Sequence, residues 1–341
     1  MVEFRLPNRL TRRSLLKSAA VVGATLPLMA GSSRIILGAE PAPGLKPLKL
    51  GWFPNAACLS PVALAQYGGI FTKHGLSVEL INFAGTTDQL LEALSTGKAD
   101  ASVGMALRWL KPLEQGFDVK LTGGTHGGCL RLLGAKGAGI TTLESLKGKT
   151  VGVTDLGSPA KNFFSIVLTK NGLDPSRDVE WRAFPADLLA LAVEKGEIQA
   201  IAHQDPDTFR FLKKPELVEI ATNLSGEYAH RVCCVIGVRG SLAREDRATA
   251  GALTRALIEA QDITAAHPEQ TADAYAQFVA NTSKDDICSI LKSHTHGEHP
   301  IGDAFKQQII EYIDELKLVQ VIKPSTDAAK FADKIYADVL S

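Results

Sequence analysis

Residues 48–80, LKLGWFPNAACLSPVALAQYGGIFTKHGLSVEL, are answered in order by residues 148–181, GKTVGVTDLGSPAKNFFSIVLTKNGLDPSRDVEW. Gly51 matches Gly152, Ser60-Pro61 matches Ser158-Pro159, Gly75-Leu76 matches Gly172-Leu173, and Val78-Glu79 matches Val179-Glu180, at offsets of 97 to 101. The series continues as LLEALSTGKADASV from Leu90 aligns with LALAVEKGEIQAIA from Leu189, pairing Gly97 with Gly196 and Ala101 with Ala200. An ordered series at nearly constant offset is the mark of an internal duplication. Each copy opens on a strand rich in apolar and β-branched residues. A helix follows, with Ser60 or Ser158 as N-cap and proline at its first position. It stops at the glycine of KHGL or KNGL. A second strand, a second helix and a third strand complete the unit; in the first copy Thr86 and Gln89 have capping-box spacing. Strands alternating with helices predict parallel sheets covered on both faces. The fold class that follows is α/β with two similar lobes.

In open parallel sheets, ligands bind beyond the carboxyl ends of the strands. Two facing lobes turn those ends into opposite walls of one cleft. The helix starts at Ser60, Ser158 and Thr86-Thr87 are expected to converge there, offering free N–H groups to an anion or polar oxygen. Asp205, in AHQDPDTF, follows the last strand of the second copy at its ligand end. Arg108, Arg131 and Arg231 are candidates to complement an anion.

The 341-residue chain carries 37 basic and 37 acidic side chains, so no long-range field marks a nucleic-acid or membrane-surface partner. Residues 10–17, LTRRSLLK, precede a 13-residue apolar run over 18–30. That run is shorter than the about 20 residues a membrane anchor needs, but suits a signal peptide. Arg12 and Arg13 stand where the bacterial twin-arginine signal has its pair. Residues 1–39 are therefore read as a twin-arginine-type signal and lead-in, cleaved after Ala30 or Ala39, and an exported, periplasmic protein is expected.

Five cysteines (Cys58, Cys129, Cys233, Cys234, Cys288) form no CxxC, and adjacent Cys233 and Cys234 are expected on opposite faces of a strand. THGGCLRLLG (125–134) and AHRVCCVIGV (229–238) each place a histidine three residues before a cysteine. These two segments are the candidate hinge strands between the lobes. His126 and Cys129 cannot chelate together on a regular strand unless Gly127-Gly128 breaks it. His230 and Cys234, four apart, could share a face, so a transition-metal site assembled across the hinges is one reading; small buried thiols, with His126 or His230 reaching the cleft to hydrogen-bond a solute, are the expected arrangement. SHTHGEHP (293–300) is expected as a solvated loop. GKT at 148–150 is no phosphate loop, since position 143 is leucine and a strand follows.

Taken in order, GWFPNAACLSPVALAQYGGIFTKHGLSVEL, LLEALSTGKADASVGM, TTLESLKGKTVGVTDLGSPA, ALAVEKGEIQAIAHQDP and AREDRATAGALTRALIEA resemble the substrate-binding proteins of bacterial ABC importers in the nitrate/sulfonate/taurine/bicarbonate, NMT1-like group. The resemblance covers essentially the whole mature chain. It implies a type II periplasmic-binding-protein fold with two hinge strands, each lobe a mostly parallel sheet flanked by helices. The expected boundaries are 46–128 plus 235–341 for lobe one and 129–234 for lobe two. It implies a monomer that closes on a small anionic or zwitterionic solute and delivers it to an ABC permease and its ATPase, without catalysis, cofactor or metal. Asn55, Cys58, Ser60, Gly85, Thr86, Ser158 and Asp205 lie on segments that would line the family's cleft. The same group resembles the thiamin pyrimidine synthases, so a pyrimidine-synthesis enzyme or a metal-dependent binder on this scaffold is the alternative. The clustered cysteine motif of those enzymes is reduced here to Cys233-Cys234.

Overall fold

The computed structural model describes residues 44–83 and 87–341; the signal and lead-in, and the expected site residues Gly85 and Thr86, lie outside the described residues. The strands are β1 (Lys46–Trp52), β2 (Leu76–Asn82), β3 (Ala101–Met105), β4 (Val119–His126), β5 (Leu130–Ala135), β6 (Lys149–Val153), β7 (Val179–Ala183), β8 (Ala200–Gln204), β9 (Leu217–Thr222) and β10 (Cys234–Arg239). They form two sheets of five, ordered β2-β1-β3-β10-β4 and β7-β6-β8-β5-β9. In each, the three strands of one repeat are parallel, and the fourth strand runs against its neighbours.

The duplication is visible in the register. Lys46 faces Leu76 in the first sheet and Lys149 faces Val179 in the second, each pair 30 residues apart. Its physical basis is a matched close approach. A Cβ on Gly51 would stand 2.9 Å from Leu90 Cδ1, and one on Gly152 would stand 2.9 Å from Leu189 Cδ2. Glycine at both positions lets the second helix of each repeat settle on the central strand.

The helices of the first repeat are α1 (Pro61–Tyr67), α2 (Ile70–Lys73), α3 (Thr87–Ser95) and α4 (Ala106–Gln115); the second has α5 (Pro159–Lys170), α6 (Leu189–Glu194) and α7 (Asp207–Phe211). Gly68-Gly69, the latter at φ +75°, split the first copy's helix into α1 and α2, where α5 is continuous. Ser158 caps α5 as expected, its hydroxyl accepting from Lys161 N–H at 3.2 Å. Ser60 does not cap α1. A 3₁₀ turn at Ala57–Leu59 runs straight into the helix, leaving Ser60 helical and its buried Oγ without a partner.

The chain crosses between sheets twice, over 127–129 and over 223–233. The strand that follows each crossing, β5 or β10, is the reversed one of its new sheet. This accounts for the recurrence of the histidine–cysteine pattern: both copies fall on crossings. Beyond β10 come α8 (Gly240–Glu245), α9 (Arg247–Ala266), α10 (Pro268–Tyr275), α11 (Lys284–Ser293), α12 (Gly302–Leu318) and α13 (Ala328–Ile335). They return to the first sheet: α9 packs on α1, α2, β2 and β4, α8 on β10, and α13 on β4. On α9, buried Ala250, Leu253, Leu257, Ala260 and Thr264 recur every three or four residues, one face of a helix.

Candidate functional site

A cavity of ≈ 360 Å³ opens between the two sheets. Its walls are the carboxyl ends of parallel strands from both repeats, as the topology requires. The first repeat supplies Phe53, Pro54 and Asn55 after β1, Phe83 after β2, and Met105, Arg108 and Trp109 where β3 enters α4. The second supplies Thr154 and Asp155 after β6, Pro159 at the start of α5, Ala186 after β7, and His203 and Gln204 at the end of β8. The first turns of α4 and α5 thus open on the cavity.

Arg108 and Asp155 are the opposed charges of this lining. Arg108 Nη2 donates to Asp155 Oδ2 at 3.0 Å across the gap. Asp155 also accepts from Gly157 N–H at 2.9 Å, which fixes the loop ahead of α5. His203 Nε2 is within 3.1 Å of Asp207 Oδ2, while its buried Nδ1 has no partner. Burial acts to raise Asp207, but His203 and Arg210 outweigh it and hold its carboxyl below the ordinary range. The remaining surface is largely aromatic and apolar.

Of the residues expected at the site, Asn55 and Arg108 line the cavity, and Ser158 stands beside it between Asp155 and Pro159. The other expected residues among those described lie elsewhere. Asp205 is fully buried and its oxygens are occupied: Arg131 Nε at 3.1 Å, His294 Nε2 at 3.0 Å, Thr208 Oγ1 at 2.6 Å and Phe209 N–H at 3.0 Å. Burial opposes ionisation there, but His294 and Arg131 prevail and its pKa is lowered. Arg131 is used by Asp205 and Glu219, and Arg231 by Glu311 and Glu315. His230 projects to solvent, 78% exposed, against Glu298 at 2.9 Å. Phe53, Phe83, Trp109, Asp155, His203 and Gln204 were missed; the strand ends that carry them were the available signal.

Cys58 and His126 are sealed behind the cleft wall. Cys58 lies between Ala56 and Leu59, its neighbour residues on the wall, and both it and His126 are fully buried. Here the sequence expectation is corrected twice. Cys233 and Cys234 do not diverge: Cys233 precedes β10, and both sulfurs come within 4.8 Å of a His126 nitrogen. SHTHGEHP is not a solvated loop either. His294 and His296 are buried, with ring centroids 6.0 and 5.4 Å from that of His126. The backbone explains this, since Thr295 N–H and hydroxyl both donate to the Gly127 carbonyl and pull the tract onto the crossing.

The NMT1-like family matches residues 41–280. A protein of Brucella abortus named as a candidate binding protein is 24% identical over 236 residues, 68% of this chain and 72% of its own. Two solved structures share the fold. The alkanesulfonate-binding protein SsuA of Xanthomonas axonopodis pv. citri, bound to MOPS, superposes with TM-score 0.70 at 20% identity, over 85% of this chain and 99% of its own. The nitrate-binding protein NrtA of Synechocystis PCC 6803 gives TM-score 0.69 at 14% identity, over 86% and 87%.

Proposed function

We propose a solute-capturing role for this chain, which belongs to the NMT1-like family: it is the extracytoplasmic binding component of an ABC importer and performs no chemistry on its cargo. The observation that carries the reading is the single cleft walled by equivalent strand ends of both repeats, with Arg108 and Asp155 facing across it. Relatives of this fold named for nitrate and alkanesulfonates, and for binding proteins in general, support it. No described helix is long and apolar enough to cross a membrane, which accords with delivery of the solute to a separate permease.

The lining narrows the solute. A strong anion alone would leave Asp155 beside it with a like charge. A zwitterion, or a small ring bearing both a donor and an acceptor, satisfies Arg108 and Asp155 together. Phe53 and Phe83 provide faces for its apolar part. Asn55 and Gln204 complete the hydrogen-bonding set.

A thermal-shift screen tests this directly. Nitrate, short sulfonates, aminosulfonates, amino acids and pyrimidines are added singly to the mature chain. A true ligand at a hundredfold excess over its Kd stabilises by about 2.7 kcal/mol through linkage. Aminosulfonates or polar heterocycles are expected to shift the melt, with the compound recovered unchanged. Conversion of the compound to a product would instead identify an enzyme.

A further inference from the structure

The geometry points to a buried site for one thiophilic metal ion, zinc(II) in character, at the junction of the two crossings, with a tetrahedral set of four ligands drawn from Cys58, His126, Cys129, Cys233 and Cys234. Two sets of ligand atoms, Cys58–His126–Cys129 and His126–Cys233–Cys234, each lie within 4.8 Å of one another and share the imidazole. Cys129 Sγ is 3.9 Å from Cys233 Sγ, and Cys58 Sγ is 3.8 Å from Cys234 Sγ. Those separations are far beyond a disulfide, about 2.05 Å. They match the edge of a thiolate tetrahedron with metal–sulfur bonds of about 2.3 Å, which is roughly 3.8 Å.

Buried thiols alone pack as small apolar groups. The imidazole does not permit that reading here. Both nitrogens of His126 are sealed from solvent and neither makes a hydrogen bond of good geometry; the groups around them are the cluster thiols. An orphaned buried polar group is expensive, and native structures rarely keep one unanswered. A metal–nitrogen bond supplies the missing partner. The neighbouring rings leave His294 Nδ1 and His296 Nε2 unpartnered as well, so the pocket around His126 is rich in nitrogen donors. Sulfur with imidazole favours zinc or copper(I) over calcium or magnesium.

The backbone holds these ligands in place before any metal arrives. Gly128, at φ +88°, breaks the chain between His126 and Cys129 and turns both inward. Cys233 N–H donates to the His126 carbonyl at 2.6 Å, Cys129 N–H to Asn223 Oδ1 at 2.9 Å, and Asp205 N–H to the Cys129 carbonyl at 3.1 Å. Ala57, next to Cys58, donates to the Asp205 carbonyl at 3.1 Å. An ion there would tie the Ala57–Leu59 turn to both crossings, immediately behind Ala56, Leu59 and Met105 of the cleft wall. Its role is to brace the hinge, and it stands whether or not the solute reading does.

The test uses the reduced, chelator-treated full chain titrated with Co²⁺ and then Zn²⁺. A thiolate-to-cobalt charge-transfer band and tetrahedral visible bands should grow to one ion per chain and be displaced by Zn²⁺. Cys129→Ser and Cys233→Ser should each weaken Co²⁺ binding at least tenfold, while Cys288→Ser leaves it unchanged. Should the serine variants fail to fold, the wild-type chain decides alone: Zn²⁺ should slow alkylation of the four cluster cysteines at least tenfold and leave Cys288 unaffected. Absence of the cobalt band, a band indifferent to Cys233→Ser in a folded variant, equal alkylation rates, or a Cys129–Cys233 disulfide in place of bound metal would each overturn the site.

Discussion

Arg108 and Asp155 meet across the cleft at 3.0 Å although one follows β3 of the first sheet and the other follows β6 of the second. With side chains 26% and 42% exposed, the pair contributes at most about 1 kcal/mol to stability. Its significance is geometric, because it links the two walls. Asp155→Ala should therefore leave the melting temperature within a few degrees of wild type. The ligand-free chain should meanwhile expand measurably in solution scattering. An unchanged radius of gyration would show that this contact does not hold the lobes together.

The two serine-proline turns separate capping from mere burial. Ser158 accepts from Lys161 N–H, whereas the Ser60 hydroxyl is buried without a partner. Urea unfolding should show Ser158→Ala destabilised by about 1 kcal/mol. Ser60→Ala should be neutral or slightly stabilising, since it removes an unsatisfied group. Equal losses at both positions would refute the difference described between the copies.

Gly51 and Gly152 test the duplication as a packing rule. Valine at either position drives a side chain into Leu90 or Leu189 and should cost about 1–3 kcal/mol by overpacking. Gly137→Ala, with nothing within 4 Å of the new Cβ, is the matched control and should be neutral by the same denaturant titration.

Asp205 sets an acid limit. Its pKa in the folded chain is lowered, with burial opposed by His294 and Arg131. A depressed carboxylate stabilises the fold above its unfolded pKa of about 3.9, and that contribution is lost as pH falls through the folded value. Asp205→Asn leaves largely buried Arg131 without this charge partner and His294 Nε2 without its carboxylate, and should cost about 3–5 kcal/mol at pH 7. Melts taken from pH 7 down to pH 3 should show wild type losing more stability than the variant. Parallel curves would remove Asp205 as the acid-sensitive group.

How much of this was legible follows from distance along the chain. Gly51 with Gly152 and Leu90 with Leu189 pair in the sequence because each repeat repeats its own local packing, so sheets, cleft and strand-end lining could be inferred. Asn55 and Arg108 were found for that reason. Asp205 lies one residue beyond β8, where its carboxyl turns inward to Arg131, Thr208 and His294 rather than into the cavity. The thiol–imidazole cluster was only half visible. Gly127-Gly128 marked the break that brings His126 and Cys129 together, but nothing local shows that Cys58 and the tract around His294 converge on the same point. That convergence is made by backbone bonds such as Ala57 to Asp205 and Thr295 to Gly127, which join segments scores of residues apart.

The most direct measurement of the central claim is calorimetric titration of the best solute from the screen into wild type and Arg108→Ala. A solute gripped between the lobes predicts one molecule per chain, with affinity at least about tenfold weaker in the variant, the worth of a charge-assisted hydrogen bond. Saturable binding of the same strength in both proteins would place the solute outside this cleft and contradict the account.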